Sequence, residues 1–142
     1  MRLLRSSVSN KQNANVTLWC SQVQSCHGAT IRLSASISVQ FATMYEIILQ
    51  NTANVTQITK TLNGDVIASV TNADVLNCNE MRFFWVKWGD VLQVGQGHVV
   101  GENLLLHVAD NDSVPVNFVK LGSHQFDYPA QWMISQEFGK SR

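Results

Sequence analysis

Residues 81–97 constrain the fold more than any other stretch: Met-Arg-Phe-Phe-Trp-Val-Lys-Trp-Gly-Asp-Val-Leu-Gln-Val-Gly-Gln-Gly. Aromatic and β-branched side chains suit a pleated, half-buried surface, and a Gly-X pair between two such runs suits a tight hairpin. Side chains alternate along a strand, so Phe83, Trp85 and Lys87 face one way and Phe84, Val86 and Trp88 the other. Both faces are largely apolar. A strand of that kind belongs at the centre of a sandwich.

Shorter strands surround it. Residues 15–24 alternate loosely through Val16, Leu18, Cys20 and Val23. Residues 29–38 alternate cleanly, with Ile31, Leu33, Ala35 and Ile37 opposite Thr30, Arg32, Ser34, Ser36 and Ser38, which predicts one buried face and one wet one. Residues 44–50 and 54–61 are further strands, and Asn63-Gly64 is the strongest short hairpin signal before 66–70. A polar loop is expected over 71–80, a strand over 104–109, and a turn at Asp110-Asn111-Asp112-Ser113. Residues 114–121 form a strand with Pro115 at its start or on an edge. A loop over 122–130 precedes a closing strand at 131–134, within the only stretch, 131–138, that could be argued as a helix. Short strands punctuated by turns predict an all-β antiparallel β-sandwich or jelly roll. The domain spans 15–135, residues 1–14 are a flexible arm that adds at most an edge strand, and 136–142 form a polar tail.

Composition narrows the function classes. The 142 residues suffice for one domain with a real core. Charged residues are only 14% of the chain, against about 25% in soluble domains, so Ser, Thr, Asn and Gln do the solvating, as in many extracellular β proteins. Ten basic and ten acidic residues cancel, with no basic patch or stripe, which argues against a nucleic-acid partner. No window approaches the ~20 apolar residues of a membrane span. The opening Met-Arg-Leu-Leu-Arg-Ser-Ser lacks the apolar run of a secretion signal, so a secreted form is expected as a processed chain or a module of a longer one.

Cys20, Cys26 and Cys78 make an odd count, and the Cys20-x5-Cys26 spacing is too wide for a zinc ligand pair. One bridge with one thiol left over is expected, its connectivity open; three reduced thiols acting as small core hydrophobes are the alternative. Sequons begin at Asn15, Asn54 and Asn111. Together with the low charge they predict an extracellular glycoprotein.

The order of these pieces resembles the farnesoic acid O-methyltransferase-like domain of animal proteins. The resemblance runs from about residue 25 to 134. It opens with Cys26-His27-Gly28-Ala29-Thr30-Ile31-Arg32-Leu33 and continues through Tyr45-Glu46-Ile47-Ile48-Leu49 and Asn54-Val55-Thr56-Gln57-Ile58. Phe84-Trp85-Val86-Lys87-Trp88 matches a Phe-Trp-Ile/Val-x-Trp core, and Val94-Gly95-Gln96-Gly97 its Val-Gly-x-Gly strand. Asp110, residues 116–122 and Trp132 complete the order. Two loops depart from the pattern. Gln50-Asn51-Thr52-Ala53-Asn54 stands where the family has Gly-Gly-Trp-x-Asn, and residues 123–128 differ.

The family name implies methyl transfer from S-adenosylmethionine, which normally needs an α/β sheet and a glycine-rich strand-to-helix turn. Gly95-Gln96-Gly97-His98-Val99-Val100-Gly101 follows a strand, but another strand rather than a helix comes after it. Those glycines read as bulge and turn positions. No catalytic residue, metal site or cofactor is therefore predicted. Asp110 and Asp112 offer oxygens without the glycine and distal glutamate of an EF-hand, so a solvated turn competes with a ligand role. Trp88, beside the Gly89-Asp90 turn, is a ligand platform or a core residue. With His98, His124, Tyr128 and Trp132 these make up the predicted ligand-binding set. The expected function is a non-catalytic extracellular recognition module for a glycan or a protein. A methyltransferase is the alternative, as is a structural domain that self-associates through edge strands into a homo-oligomer.

Overall fold

The computed structural model describes residues 2–5, 16–35, 44–61, 64–125 and 129–134. They contain eleven strands: β1 Arg2–Arg5, β2 Val16–Gln24, β3 Ala29–Ser34, β4 Met44–Leu49, β5 Val55–Lys60, β6 Val66–Thr71, β7 Arg82–Gly89, β8 Leu92–Gln96, β9 Leu104–Val108, β10 Phe118–Ser123 and β11 Gln131–Ile134. One six-stranded sheet runs β1-β10-β3-β4-β5-β6 and a five-stranded sheet runs β11-β2-β7-β8-β9. Every pairing is antiparallel. The fold is an all-β sandwich.

Period-two alternation builds the core between the sheets. Ile31 and Leu33 on β3, Tyr45, Ile47 and Leu49 on β4, and Val119 and Leu121 on β10 meet Val23 on β2, Phe84, Val86 and Trp88 on β7, and Val94 on β8. β7 is the middle strand of its sheet, paired with β2 and β8. Truncating a fully buried aromatic such as Phe84 would cost about 3–5 kcal/mol.

Several elements differ from their sequence reading. Pro115 has no N–H for a ladder, so residues 113–117 are irregular and β10 starts at Phe118, while Val114 and Val116 still pack into the core. β10 then runs on to Ser123, and β6 reaches Thr71. The closing strand at 131–134, by contrast, stands as read. Arg2–Arg5 adds the edge strand, against β10, that the reading of the N-terminal arm allowed. The polar face of β3 is not wet: Thr30 and Ser34 are buried, as is Glu46 opposite Arg32, whose Nε donates to Glu46 Oε2 at 2.9 Å. A carboxylate at that depth needs its cationic partner. Residues 36–38, the end of that expected strand, and Asn63 of the hairpin signal lie outside the described residues.

Trp85 is fully buried, yet it lies on the face of β7 turned away from the core between the sheets. Its register partner on β8 is Gly95, and a Cβ on Gly95 would run into the indole. The ladder shifts register between Val94 and Gly95. The indole Nε1–H donates to the carbonyl of Glu102 at 2.9 Å, so the β8–β9 loop closes over the ring. Gly97 and Gly101 in that loop have φ of 88° and 96°, a region L side chains avoid. The three glycines thus serve a ring contact and two turns, and no helix follows them among the described residues. Gly95→Ala is expected to destabilise the domain by about 1–3 kcal/mol through overpacking. Urea denaturation should show a lower midpoint at unchanged slope; an unchanged midpoint would mean that the indole yields.

Candidate functional site

Antiparallel order sends alternate connections to opposite ends of the sandwich. Residues 25–28, 50–54, 72–81, 97–103 and the described part of 124–130 gather at one end. Residues 90–91 and 109–117 lie at the other. The sequence-predicted ligand set is thereby split. Trp88, Asp110 and Asp112 belong to the far end, and His98, His124 and Trp132 to the loop end. Tyr128 lies outside the described residues.

At the far end Trp88 and Asp110 are engaged in holding the fold, while the Asp112 side chain is exposed. Trp88 is 5% exposed and packs in the core, so its ring presents no platform to a ligand. Tyr45 Oη donates to Asp110 Oδ2 at 2.7 Å, and Lys60 Nζ pairs with the same oxygen at 2.9 Å. The Val114 N–H donates to the Tyr45 oxygen at 3.1 Å, and the Asp112 N–H to Asp110 Oδ1 at 3.0 Å. Lys60 Nζ also donates to the Asp112 carbonyl. Asp110 therefore ties the irregular 109–117 segment to β4 and β5. Hydrogen bonds from Lys60 and Tyr45 hold its carboxyl below the usual 3.8. Burial, with the neighbouring carboxylates, pushes the Tyr45 phenol up to about 12. Lys60 already occupies Asp110 as its cation, so the pair is a structural latch, and no group of three or more metal-ligating side chains occurs among the described residues.

At the loop end Cys26 and Cys78 form a disulfide, with Cα atoms 4.3 Å apart, and Cys20 is the cysteine left over, on β2 in register with Trp85. The bridge ties 25–28 to 72–81. Gln24 Nε2 donates to the Cys78 carbonyl at 2.8 Å and the Ser25 N–H to the Asn77 carbonyl at 3.3 Å. From the β4–β5 turn, Gln50 Oε1 accepts the N–H groups of Val75 and Leu76 at 2.9 and 2.6 Å. Val75 and Leu76 plug into the core beneath. The polar 71–80 stretch is thus a pinned connection, and its apolar Val75-Leu76 pair is the signal that sequence reading passed over.

Between this loop and the β8–β9 loop opens a cleft of about 460 Å³, lined by Asn72, Asp74, Glu80, Arg82, Phe83, Gln96 and Asn103, with Met81 and Gly97. Arg82 Nη2 pairs with Asp74 Oδ1 at 3.3 Å and Nε with Glu80 Oε2 at 3.2 Å, while Nη1 donates to the Asp74 carbonyl at 3.2 Å. Gln96 Nε2 reaches the carbonyls of Asp74 and Val75, both at 3.4 Å. The Gly97 N–H donates to the Phe83 carbonyl at 2.8 Å, fastening the second wall to β7. At the rim the Phe83 and His98 rings are tilted against each other, centroids 5.2 Å apart. Of the predicted residues that are described, only His98 borders this cleft, through its contact with Phe83. Asp74, Glu80, Arg82, Gln96 and Asn103 were missed because they are scattered over three segments with no motif spacing. Phe83 carried a signal, its outward register on β7.

The remaining predicted residues lie nearby in the fold but not in the cleft. The His124 side chain sits over Gly28, whose φ is 83°. Trp132 is half-buried against the core and donates from Nε1 to the Gly122 carbonyl at 3.1 Å. Among the sequons, Asn54 and Asn111 are exposed, and Asn15 lies outside the described residues.

Two antiparallel sheets around one core, with a polar cleft between crosslinked loops at one end, define a β-sandwich with a loop-end pocket. The fold is similar to that of the carbohydrate binding module CBM66 from Bacillus subtilis, with a TM-score of 0.61 at 14% identity over 93% of this chain and 78% of that one. The family model described as farnesoic acid O-methyl transferase matches residues 5–138, and the chain belongs to that family. No curated protein sequence matches the chain.

Two outcomes follow from the latch and the bridge. Asp110 has a lowered folded pKa, so its stabilisation is complete above about 3.8 and is lost as pH falls through the lower folded value. Tyr45 has a raised one, so its stabilisation is complete below 10.0 and is lost as pH rises from there to about 12. Denaturation midpoints across pH should fall at both extremes, and Tyr45→Phe should make the alkaline fall smaller. The bridge spans 52 residues, so chain entropy predicts a loss of about 4 kcal/mol in Cys26→Ser/Cys78→Ser. Thiol titration of the denatured, unreduced chain should find one reactive thiol, and three would contradict the bridge.

Proposed function

We propose that the domain is a non-catalytic recognition module that binds a glycan in the loop-end cleft and works outside the cell. The observation that carries this reading is the cleft's make-up: two carboxylates, a guanidinium and amides beside the Phe83 and His98 rings. A sugar offers hydroxyls that both donate and accept, and C–H faces that pack on rings, so planar polar side chains next to an aromatic edge suit it. The likeness in fold to a carbohydrate binding module supports the reading. An oxidising compartment sustains a disulfide such as Cys26–Cys78, which supports the extracellular setting. Methyl transfer gains nothing from Gly95, Gly97 and Gly101, each of which has a structural task.

One observation favours a second reading, self-association. Edge strand β6 exposes Val66 and Ile67 and carries no charged residue to discourage pairing.

A glycan array probed with wild type and Phe83→Ala tests the first reading. Binding should weaken about tenfold on loss of the ring, equivalent to about 1.4 kcal/mol. An array that stays blank would sink it. Thermal unfolding with millimolar S-adenosylmethionine should show no shift, and a shift would restore the enzyme. Light scattering over a concentration series separates self-association, which a strictly monomeric chain rejects.

A further inference from the structure

The charge pattern of the cleft says which glycans it accepts, an inference that rests on the glycan reading above. Arg82 lies between Asp74 and Glu80, giving an acceptor–donor–acceptor row. A guanidinium has five N–H groups. Among the described residues three are used, toward the Asp74 carbonyl, Asp74 Oδ1 and Glu80 Oε2. Two N–H groups remain for a ligand, and each carboxylate keeps lone pairs to accept with. The side chains of Asp74 and Glu80 are 83% and 62% exposed, so those lone pairs face the open cleft. Two adjacent hydroxyls match this row, each donating to a carboxylate while accepting from the guanidinium.

A sulfate or carboxylate fits the same place badly. Arg82 would welcome it, but Asp74 and Glu80 flank the guanidinium on the same wall. Two carboxylates against one guanidinium leave a net negative wall that repels anions over several ångströms. We propose that the cleft selects neutral glycans presenting adjacent hydroxyls and rejects sulfated, sialylated and uronic-acid glycans.

The test is an array carrying neutral glucans, mannans and galactans beside sulfated, sialylated and uronic-acid glycans, followed by calorimetry on the best ligand. Neutral glycans should bind, with a Kd unchanged as salt rises from about 50 to about 500 mM, because no net charge is paired. Asp74→Asn should weaken that ligand at least tenfold, and Asp74→Asn/Glu80→Gln should gain sulfated ligands. Glu80→Gln alone, at an exposed carboxylate bonded to Arg82, is the second variant should Asp74→Asn fail to fold, as judged by thiol count and unfolding midpoint. Neutral binding unchanged in either folded variant overturns the proposal. Wild type binding only anionic glycans overturns the selectivity while leaving the glycan reading intact. No glycan of any class, with oligolysine bound instead, overturns both and assigns the cleft to a basic peptide.

Discussion

Burial of β7 from both sides is the constraint on which the rest depends. Phe84, Val86 and Trp88 press into the core between the sheets, while Trp85 on the other face lies under the β8–β9 loop. A strand with two apolar faces cannot sit at an edge, so β2 and β8 must flank it. The indole then dictates its neighbours: glycine at 95, a ladder shift beside it, and a loop carbonyl from Glu102 within reach of Nε1. That loop is one wall of the cleft. Core packing and site geometry are therefore joined through a single tryptophan.

The other wall is held by different forces. The 72–81 connection crosses from one sheet to the other and has no ladder of its own, so its backbone groups find partners elsewhere. Gln50 takes two of its N–H groups, the disulfide anchors Cys78, and Val75 and Leu76 bury beneath. With the loop pinned, Asp74 and Glu80 stand on either side of Arg82 without the ordering cost a loose loop would bring to binding. The opposite end of the sandwich uses the same chemistry for another purpose. There Asp110, Lys60 and Tyr45 close on each other and leave little for a ligand.

Much of the fold was legible along the chain because the apolar residues that alternate along β3, β4 and β7 supply the core between the sheets. The turn glycines at 97 and 101 and the order of the family-like segments were legible for a similar local reason. The misreadings have physical causes. Trp88 looked like a platform because it adjoins a turn, and a turn position says nothing about which face of the sheet the ring occupies. Asp110 looked like a ligand oxygen because Lys60 and Tyr45, its partners, are fifty or more residues away. The outer face of β3 looked wet because serine, threonine and arginine dominate it. Cross-strand pairing with Glu46 decided otherwise.

What the amino-acid sequence determined alone is the all-β sandwich, its central hairpin and its family. Period-two patterns, turn residues and aromatic spacing are local, and local patterns survive in one dimension. Which cysteines pair, which aspartates are spoken for and where the cleft opens were decided only by tertiary structure. Asp74, Arg82, Gln96 and Asn103 come from separate segments that meet because antiparallel strands return their loops to one end. Charge, distance and solvent exposure at such a meeting point depend on three-dimensional neighbours, which the order of residues does not reveal.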